Sequence, residues 1–481
     1  AEAGIYTVAV NCSGSGSWWL DNIPRYLNNI NIYNNGNALN SISVKWTCDP
    51  RRDWTQYSLN GGGWTDAGDS VASDGKSGTF TIGNLAPNTS YNVRVRLRRA
   101  DSGLWSESGT ITIATKNKAT ITSPGANFSL NSNNALTVNC TNPSGNQIAY
   151  FLDCPSGTRR LTSGKTTATS YTWTAAQILS MLQYCKNANS VSIKVGVITY
   201  GNSEYYDEKI GTLNVVNSNP TFNNFVYEDV NSKTIALTGN NQYIVKGYSN
   251  VKAIISTANK AVAKNYATMS KYRFVIGSSQ VDVNYSDTAN VQATINSVKS
   301  NIFTMYAIDS RNNSSFKQIS PARYIDYSAI TINKVEVIRE NGIGSISTLK
   351  FNGSIWEGSF GAVLNEIKSC SYKYKETTAS SWKNGGTVLN PIRNGKSFSF
   401  EGLIKGDLGA NGFDINKSYN IQVTISDKLT TTTYDFVLGS GKPGIAITKN
   451  GIAINGMYNE NLGGALQIWN GNVYIDGVKI N

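Results

Sequence analysis

The stretch "VRVRLRRADSGLWSES" (93–108) has three counterparts further along the chain: "IKVGVITYGNSEYYDE" (193–208), "FTMYAIDSRNNSSFKQ" (303–318) and "IQVTISDKLTTTTYDF" (421–436). Each is an alternating strand, a polar turn built from Asp, Asn, Gly or Ser, and a second strand, which is the signature of a β-hairpin. They start roughly 100–120 residues apart, the size of an immunoglobulin-like sandwich, so each hairpin reads as the closing pair of strands of one sandwich. Composition agrees. Hydrophobic residues make up 40% and charged residues only 15% of the 481, which disfavours helical bundles. The expectation is an all-β chain of tandem immunoglobulin/fibronectin III-like β-sandwiches with a short C-terminal β module. Its segments are 1–117, 118–217, 218–327, 328–440 and 441–481.

The first segment can be read more closely. "SISVKWTCDP" (41–50) alternates, "WTQYSLNGGGWTDA" (54–67) is a strand, a Gly turn and a second strand start, and "GTFTIGNLAPNTSYNVRVRLRR" (78–99) follows. Leu85, Pro87, Asn88, Thr89, Tyr91, Val93 and Val95 resemble the fibronectin type III pattern over residues 38–116. That resemblance implies Trp46 as core Trp and Tyr91 as the corner Tyr whose hydroxyl bonds nearby backbone. Residues 1–37 are extra, and "SGSGSWWLDNIPRY" (13–26) reads as a loop-like insertion. In the second segment, "TAAQILSMLQYCKNA" (174–188) predicts a helix. Thr174 and Gln177 form a capping box, and Ile178, Met181, Leu182 and Cys185 share one face.

The words "LTGNNQYIVKGYS" (237–249), "NKAVAKNYATMSKYRF" (259–274) and "MYAIDSRNNSS" (305–315) resemble the tail and minor structural proteins of bacteriophages infecting Gram-positive bacteria. The similarity extends over about 118–481, within a family of otherwise unassigned function. It implies a virion tail component, assembled in the host cytoplasm, that contacts other virion tail proteins and the host surface. It supplies no catalytic residues. In the fourth segment, "SCSYKYKETTASSWKNGG" (369–386) echoes 54–67, so Trp64 and Trp382 are expected at one shared sandwich position.

The chain has no histidine, which removes Ser-His-Asp and Cys-His catalysis and His-ligated zinc. "GSGKPG" (439–444) lacks the residues of a phosphate loop, since Pro443 follows Lys442. The six cysteines show no metal spacing and read as buried hydrophobes; a Cys12–Cys48 bridge would need an oxidising compartment. No cofactor, metal or catalytic group is expected. The net charge of +12 is spread over all five segments, unlike the clustered charge of nucleic-acid binders, so no nucleic-acid partner is expected. No run of 18 apolar residues and no signal peptide occurs, so no membrane partner is expected, and Ala1 fits either removal of Met or cleavage of a precursor.

Tyr and Trp suit carbohydrate recognition, because a ring face stacks while a polar edge bonds. The candidates are Trp18 and Trp19 in the insertion, Trp105 beside the first hairpin, and Tyr205 and Tyr206 beside the second. Each ring has a second reading as packing within its own sandwich, and the Trp18–Trp19 pair a third, as an attachment surface for a neighbouring virion protein. Glu204/Asp207/Glu208 and Glu228/Asp229 are the carboxylate clusters, read as solvated charge at strand ends. The expected function is a non-enzymatic tail fibre, appendage or receptor-binding protein acting on host cell-wall polysaccharide or teichoic acid. A secreted surface adhesin and a tail-associated glycan hydrolase are the alternatives.

The segment "GIAITKNGIAINGMYNENLGGALQIWNGNVYIDGVKIN" (444–481) alternates apolar and polar residues, with Asn450-Gly451, Asn455-Gly456, Asn470-Gly471 and Asp476-Gly477 expected at turns. It is near the floor of about 40 residues for independent folding. A homo-oligomer, expected as a trimer, would complete it, and docking onto the fourth sandwich is the alternative.

Overall fold

The computed structural model describes residues 26–154, 160–385, 389–442, 444–454, 458–459, 461–462, 466–469, 473–475 and 478–480, the last two stretches as backbone only. The chain divides into two compact units. One runs to Ser218 and takes in Asn265–Ala267; the other holds Asn219–Lys264 and the chain from Thr268 onward.

All four expected hairpins form as antiparallel pairs. Ser90–Arg99 pairs with Trp105–Glu107, and Ser190–Tyr200 with Glu204–Asn214. Phe303–Asp309 pairs with Ser314–Ile319, and Tyr419–Ser426 with Thr431–Leu438. In each, the first strand is central in its sheet, and its inward residues line a core: Val93, Val95 and Leu97 in the first, Ile421, Val423 and Ile425 in the last. A second sheet closes each sandwich. In the first it consists of Asn28–Asn37, Ile42–Asp49, Ser77–Ile82 and Ser70–Val71, neighbours in that order. Separate hydrophobic clusters fill the four sandwiches.

Trp46 is wholly buried in the first core, and its indole N–H donates to Asp69 Oδ2 at 2.8 Å. Gly78 lies opposite it in register, where a Cβ would sit 2.6 Å from the ring, so only glycine lets the strands approach there. The Tyr91 hydroxyl accepts the Ala86 backbone N–H at 2.8 Å, as the fibronectin resemblance implies.

The expected helix is present but shorter. It runs Ala175–Met181 under the Thr174–Gln177 capping box and tightens to a 3-10 turn at Leu182–Tyr184. It ends there because the strand from Ser190 needs the chain turned back, and Cys185 leaves the helical region at φ −132°. A second helix, Ser232–Thr238, is absent from the sequence reading. Asn231 caps its start and Gly239, at φ +70°, ends it, but its buried residues are Thr234 and Thr238, which leave no apolar period to detect.

Within the second unit, the third and fourth sandwiches share a further core of Val245, Ile325, Tyr327, Phe360 and Leu429. Tyr327 stands at its centre, within 5.3–5.6 Å of the rings of Tyr248, Phe360 and Trp356. Its hydroxyl donates to Asp427 Oδ2 at 2.8 Å, and burial holds its pKa far above the ordinary tyrosine value.

In the tail, Ile445–Thr448 pairs antiparallel with Gly451–Ile454, which runs parallel to Leu466–Ile468. Thr448 faces Gly451, so the turn pair is Lys449-Asn450 and Gly451 already belongs to the strand, not to the turn expected at Asn450-Gly451. The other three expected turns lie outside the described residues. Val473–Ile475 and Val478–Ile480 form a further antiparallel pair.

Cys48, Cys140, Cys154, Cys185 and Cys370 are buried thiols, and Cys12 lies outside the described residues. Burial pushes the Cys48 thiol up to about 11 and Cys370 up to about 12. Iodoacetamide mapping at pH 8 should therefore leave these five unmodified until the chain is denatured. Labelling of native Cys48 or Cys370 would contradict that packing. Replacing Tyr327→Phe strips a donor from a buried carboxylate, and should destabilise the second unit by about 1–3 kcal/mol in urea titrations.

Candidate functional site

The first unit carries a cleft of about 430 Å³ between its two sandwiches, lined by Pro87, Asn88, Asn117, Lys118, Thr120, Thr141, Pro143 and Tyr205. The fibronectin-like corner supplies one wall. The Asn88 backbone adopts φ +53°, a conformation that Asn tolerates better than most residues, and donates its N–H to Lys116 O. Asn117 is fixed through its backbone, donating N–H to Ser144 Oγ and accepting from Asn146 Nδ2 at 2.7 Å. The hydroxyls of Thr120 and Thr141 bond across adjacent strands at 2.8 Å.

Two interactions place Lys118. Its ammonium donates to Tyr206 O at 2.8 Å and stands 4.0 Å from Asp207, whose other oxygen accepts the Ile121 N–H. The result is a concave polar surface with one aromatic ring, two proline faces, two amides, three hydroxyls and one ammonium. Its lining contains no carboxylate, and it offers hydrogen bonds, a ring face for stacking and a positive charge.

The structure separates the aromatic candidates. Tyr205 lines this cleft. Tyr206, one residue on, points to the other face, where it meets Phe151 edge-on at 6.0 Å beneath Arg160. Its hydroxyl bonds Glu204, which raises its pKa. Trp105 stands elsewhere, on the outer face of the first sandwich. There Arg96 lies over both Trp105 (4.6 Å) and Trp64 (4.7 Å), Arg94 also covers Trp64, and Arg98 covers Trp54. Arg94 pairs with Glu107 and Arg98 with Asp53, so this face is an interlocked ladder. Trp18 and Trp19 lie outside the described residues.

Trp64 and Trp382 occupy comparable places, each just before a short edge strand and each covered by two cations. For Trp382 these are Lys373 and Lys375. Of the carboxylate clusters, Glu204 and Glu208 are exposed, as expected of solvated charge, whereas Asp229 departs from that expectation. Asp229 is buried and accepts from Asn231 N, Thr234 Oγ1, Ser249 Oγ and Asn250 N, because it organises the turn into the second helix. Glu228 pairs with Lys252 and Glu208 with Lys194. A second concavity, of about 400 Å³ on the fourth sandwich, contains Glu336 and Glu401, each paired with a lysine, Lys334 and Lys350.

No family model matches the chain, and no curated protein matches it. Among solved structures it is similar to an I-band fragment from titin, with 9% identity over 62% of this chain and 99% of that one, at a TM-score of 0.29. It is also similar to the FN1–FN3 domains of chicken CNTN1, with 13% identity over 62% and 98% at a TM-score of 0.20. Fibronectin(III)-like modules of CbhA from Clostridium thermocellum match with 15% identity over 38% and 93% at a TM-score of 0.16. The chain's own class, tandem immunoglobulin/fibronectin III-like sandwiches, rests on the strand order and cores described above.

Most of the cleft was not in the sequence reading. Its lining comes from the corner word, from the polar run "TKNKATITSPG" (115–125) and from two later strands, and only folding brings these together. The outer ladder yields a prediction. Arg96→Ala removes two cation–π contacts and the bond to Gln56, and should cost about 1–2 kcal/mol of first-unit stability by urea titration of Trp fluorescence. An unchanged midpoint would show that the ladder is ornamental.

Proposed function

We propose that the chain is a non-enzymatic structural component of a bacteriophage tail, a fibre, appendage or receptor-binding protein that holds the virion against a Gram-positive host. The resemblance at 237–249, 259–274 and 305–315 supports the tail assignment. The cleft around Tyr205 supports the binding role and is the observation on which that role rests. Its partner is wall polysaccharide or teichoic acid. The Tyr205 ring offers a face for a sugar, the amides and hydroxyls offer bonds to its hydroxyl groups, and the Lys118 ammonium offers a contact for phosphate.

A cleft this open and polar holds a ligand weakly. Many copies on one virion turn weak contacts into firm attachment, since each bound site raises the effective concentration of the next. Copies of the chain associate as a homo-oligomer, a trimer, alongside other tail proteins. Assembly takes place in the host cytoplasm, where the buried thiols stay reduced.

The test uses the full chain and purified host walls. Tyr205→Ala should weaken retention on walls about tenfold, the loss expected for one stacked ring, and removing teichoic acid from the walls should reveal whether phosphate is read. Equal binding by the variant would remove the cleft from the mechanism. Release of reducing sugar by the unaltered chain would overturn the non-enzymatic reading. Antibody labelling of particles away from the tail would overturn the virion assignment.

A further inference from the structure

The core of the second sandwich brings two thiols together. Cys154 directly follows the strand Ile148–Asp153, whose six residues are all buried, and is itself 0% exposed. Cys185 follows the 3-10 turn Leu182–Tyr184 and is 6% exposed. Their Sγ atoms stand 3.4 Å apart, although 31 residues separate them along the chain. Packing fixes that meeting. Ile178, Met181 and Leu182 seat the helical segment in one core with Leu152 and Trp173, and the Cys185 N–H donates to Leu182 O at 2.9 Å. Cys140 and Cys48 meet oxygen instead, the Tyr150 hydroxyl at 3.2 Å and the Pro50 carbonyl at 3.4 Å.

We propose that Cys154 and Cys185 are a modification site, a pair that closes to a disulfide when the folded chain meets an oxidising medium. A disulfide holds its sulfurs at about 2.05 Å, so these two have about 1.4 Å to close, a shift within reach of side-chain torsion. The bridge also has work to do. The helix is seven residues long with one 3-10 turn after it, and a helix that short keeps its shape only through tertiary packing. A bond from its end to the end of a buried strand restricts the unfolded chain and fixes the segment in place.

The oxidant is a small-molecule disulfide such as oxidised glutathione. Cys185, the more exposed sulfur, gives up its proton and attacks one glutathione sulfur; a protein–glutathione bond forms and one glutathione leaves as thiolate. The bond to Cys185 and burial hold the Cys154 thiol far above its ordinary pKa, so the first attack falls to Cys185. Cys154 then gives up its proton, attacks the Cys185 sulfur and displaces the second glutathione. The two thiolates released take up the two protons, and the two electrons lost by the protein thiols reduce the glutathione disulfide. Both attacks need the helix end to open, so closure is slow on the timescale of the alkylation described above. On the reading above, the chain leaves a reducing cytoplasm with the virion and then meets such an oxidant; the chemistry of the pair does not depend on that reading.

The reduced full chain, held for days at neutral pH with excess oxidised glutathione, tests this. Digestion without reduction should release the peptides of Cys154 and Cys185 joined, about 2 Da below their summed thiol masses. Thermal unfolding of the first unit should shift upward by roughly 5–10 °C, and dithiothreitol should reverse the shift. Cys185→Ser should abolish both the linked peptide and the oxidant-dependent shift, whereas Cys48→Ser should keep both. Cys154 and Cys185 that can still be alkylated after denaturation would overturn the proposal, as would a Cys185 halted at the glutathione adduct or a bridge from either sulfur to another cysteine. A linked pair without the thermal shift would support the site and overturn its stabilising role.

Discussion

The Asp427 carboxylate is the constraint around which the second unit is organised. It is 2% exposed, and a buried carboxylate costs several kcal/mol unless donors replace its water. One oxygen takes the N–H groups of Leu429 and Thr430, which folds the turn of the last closing hairpin. The other takes the Tyr327 hydroxyl and Asn365 Nδ2, from segments 100 and 62 residues away in sequence. A single charge thus fixes a turn, a tyrosine between two sandwiches, and a loop of the fourth. Asp309 plays the local part alone: it accepts the N–H groups of Arg311 and Asn313 in the third hairpin's turn.

Once Tyr327 is held, the aromatic core around it follows. Phe360, Trp356 and Tyr248 pack on its ring, Leu429 is carried in by the same turn, and the Lys233 ammonium bonds the Leu429 carbonyl. Short connections between tandem sandwiches usually behave as hinges, with polar interfaces that permit relative motion. Here the junction is a hydrophobic core in its own right, and separating the two sandwiches would expose both the aromatic rings and the carboxylate.

The sequence revealed whatever depends on alternation. The closing hairpins, the Trp46 core and the Thr174 capping box are local patterns, and folding kept them. It was silent wherever burial is polar. Thr234 and Thr238 fill a helix face that no hydrophobic search would find, and Asp229 looks like surface charge until its four donors are seen. The binding candidates show the same limit at the scale of one residue. Tyr205 and Tyr206 are indistinguishable in composition, yet strand alternation sends one into a cleft and the other onto Phe151. Trp105 carries the chemistry of a sugar platform, but the Arg96 guanidinium lies over its ring.

The tail marks where pattern reading needs a second physical input. Alternation in Ile445–Thr448 and Gly451–Ile454 correctly separates an aliphatic face from a small one, but it carries no information about what lies opposite each. In the sandwiches, about 100 residues supply two sheets, so each apolar face finds its cover within the same stretch of chain. Among its described residues the tail segment forms one three-stranded sheet and a two-stranded pair, and the small face of the former takes the cover that Asn459 provides. Among the described residues, Ile445, Ile447, Ile452 and Leu466 on the aliphatic face stay exposed, because the one described sheet they belong to has its cover on the other side.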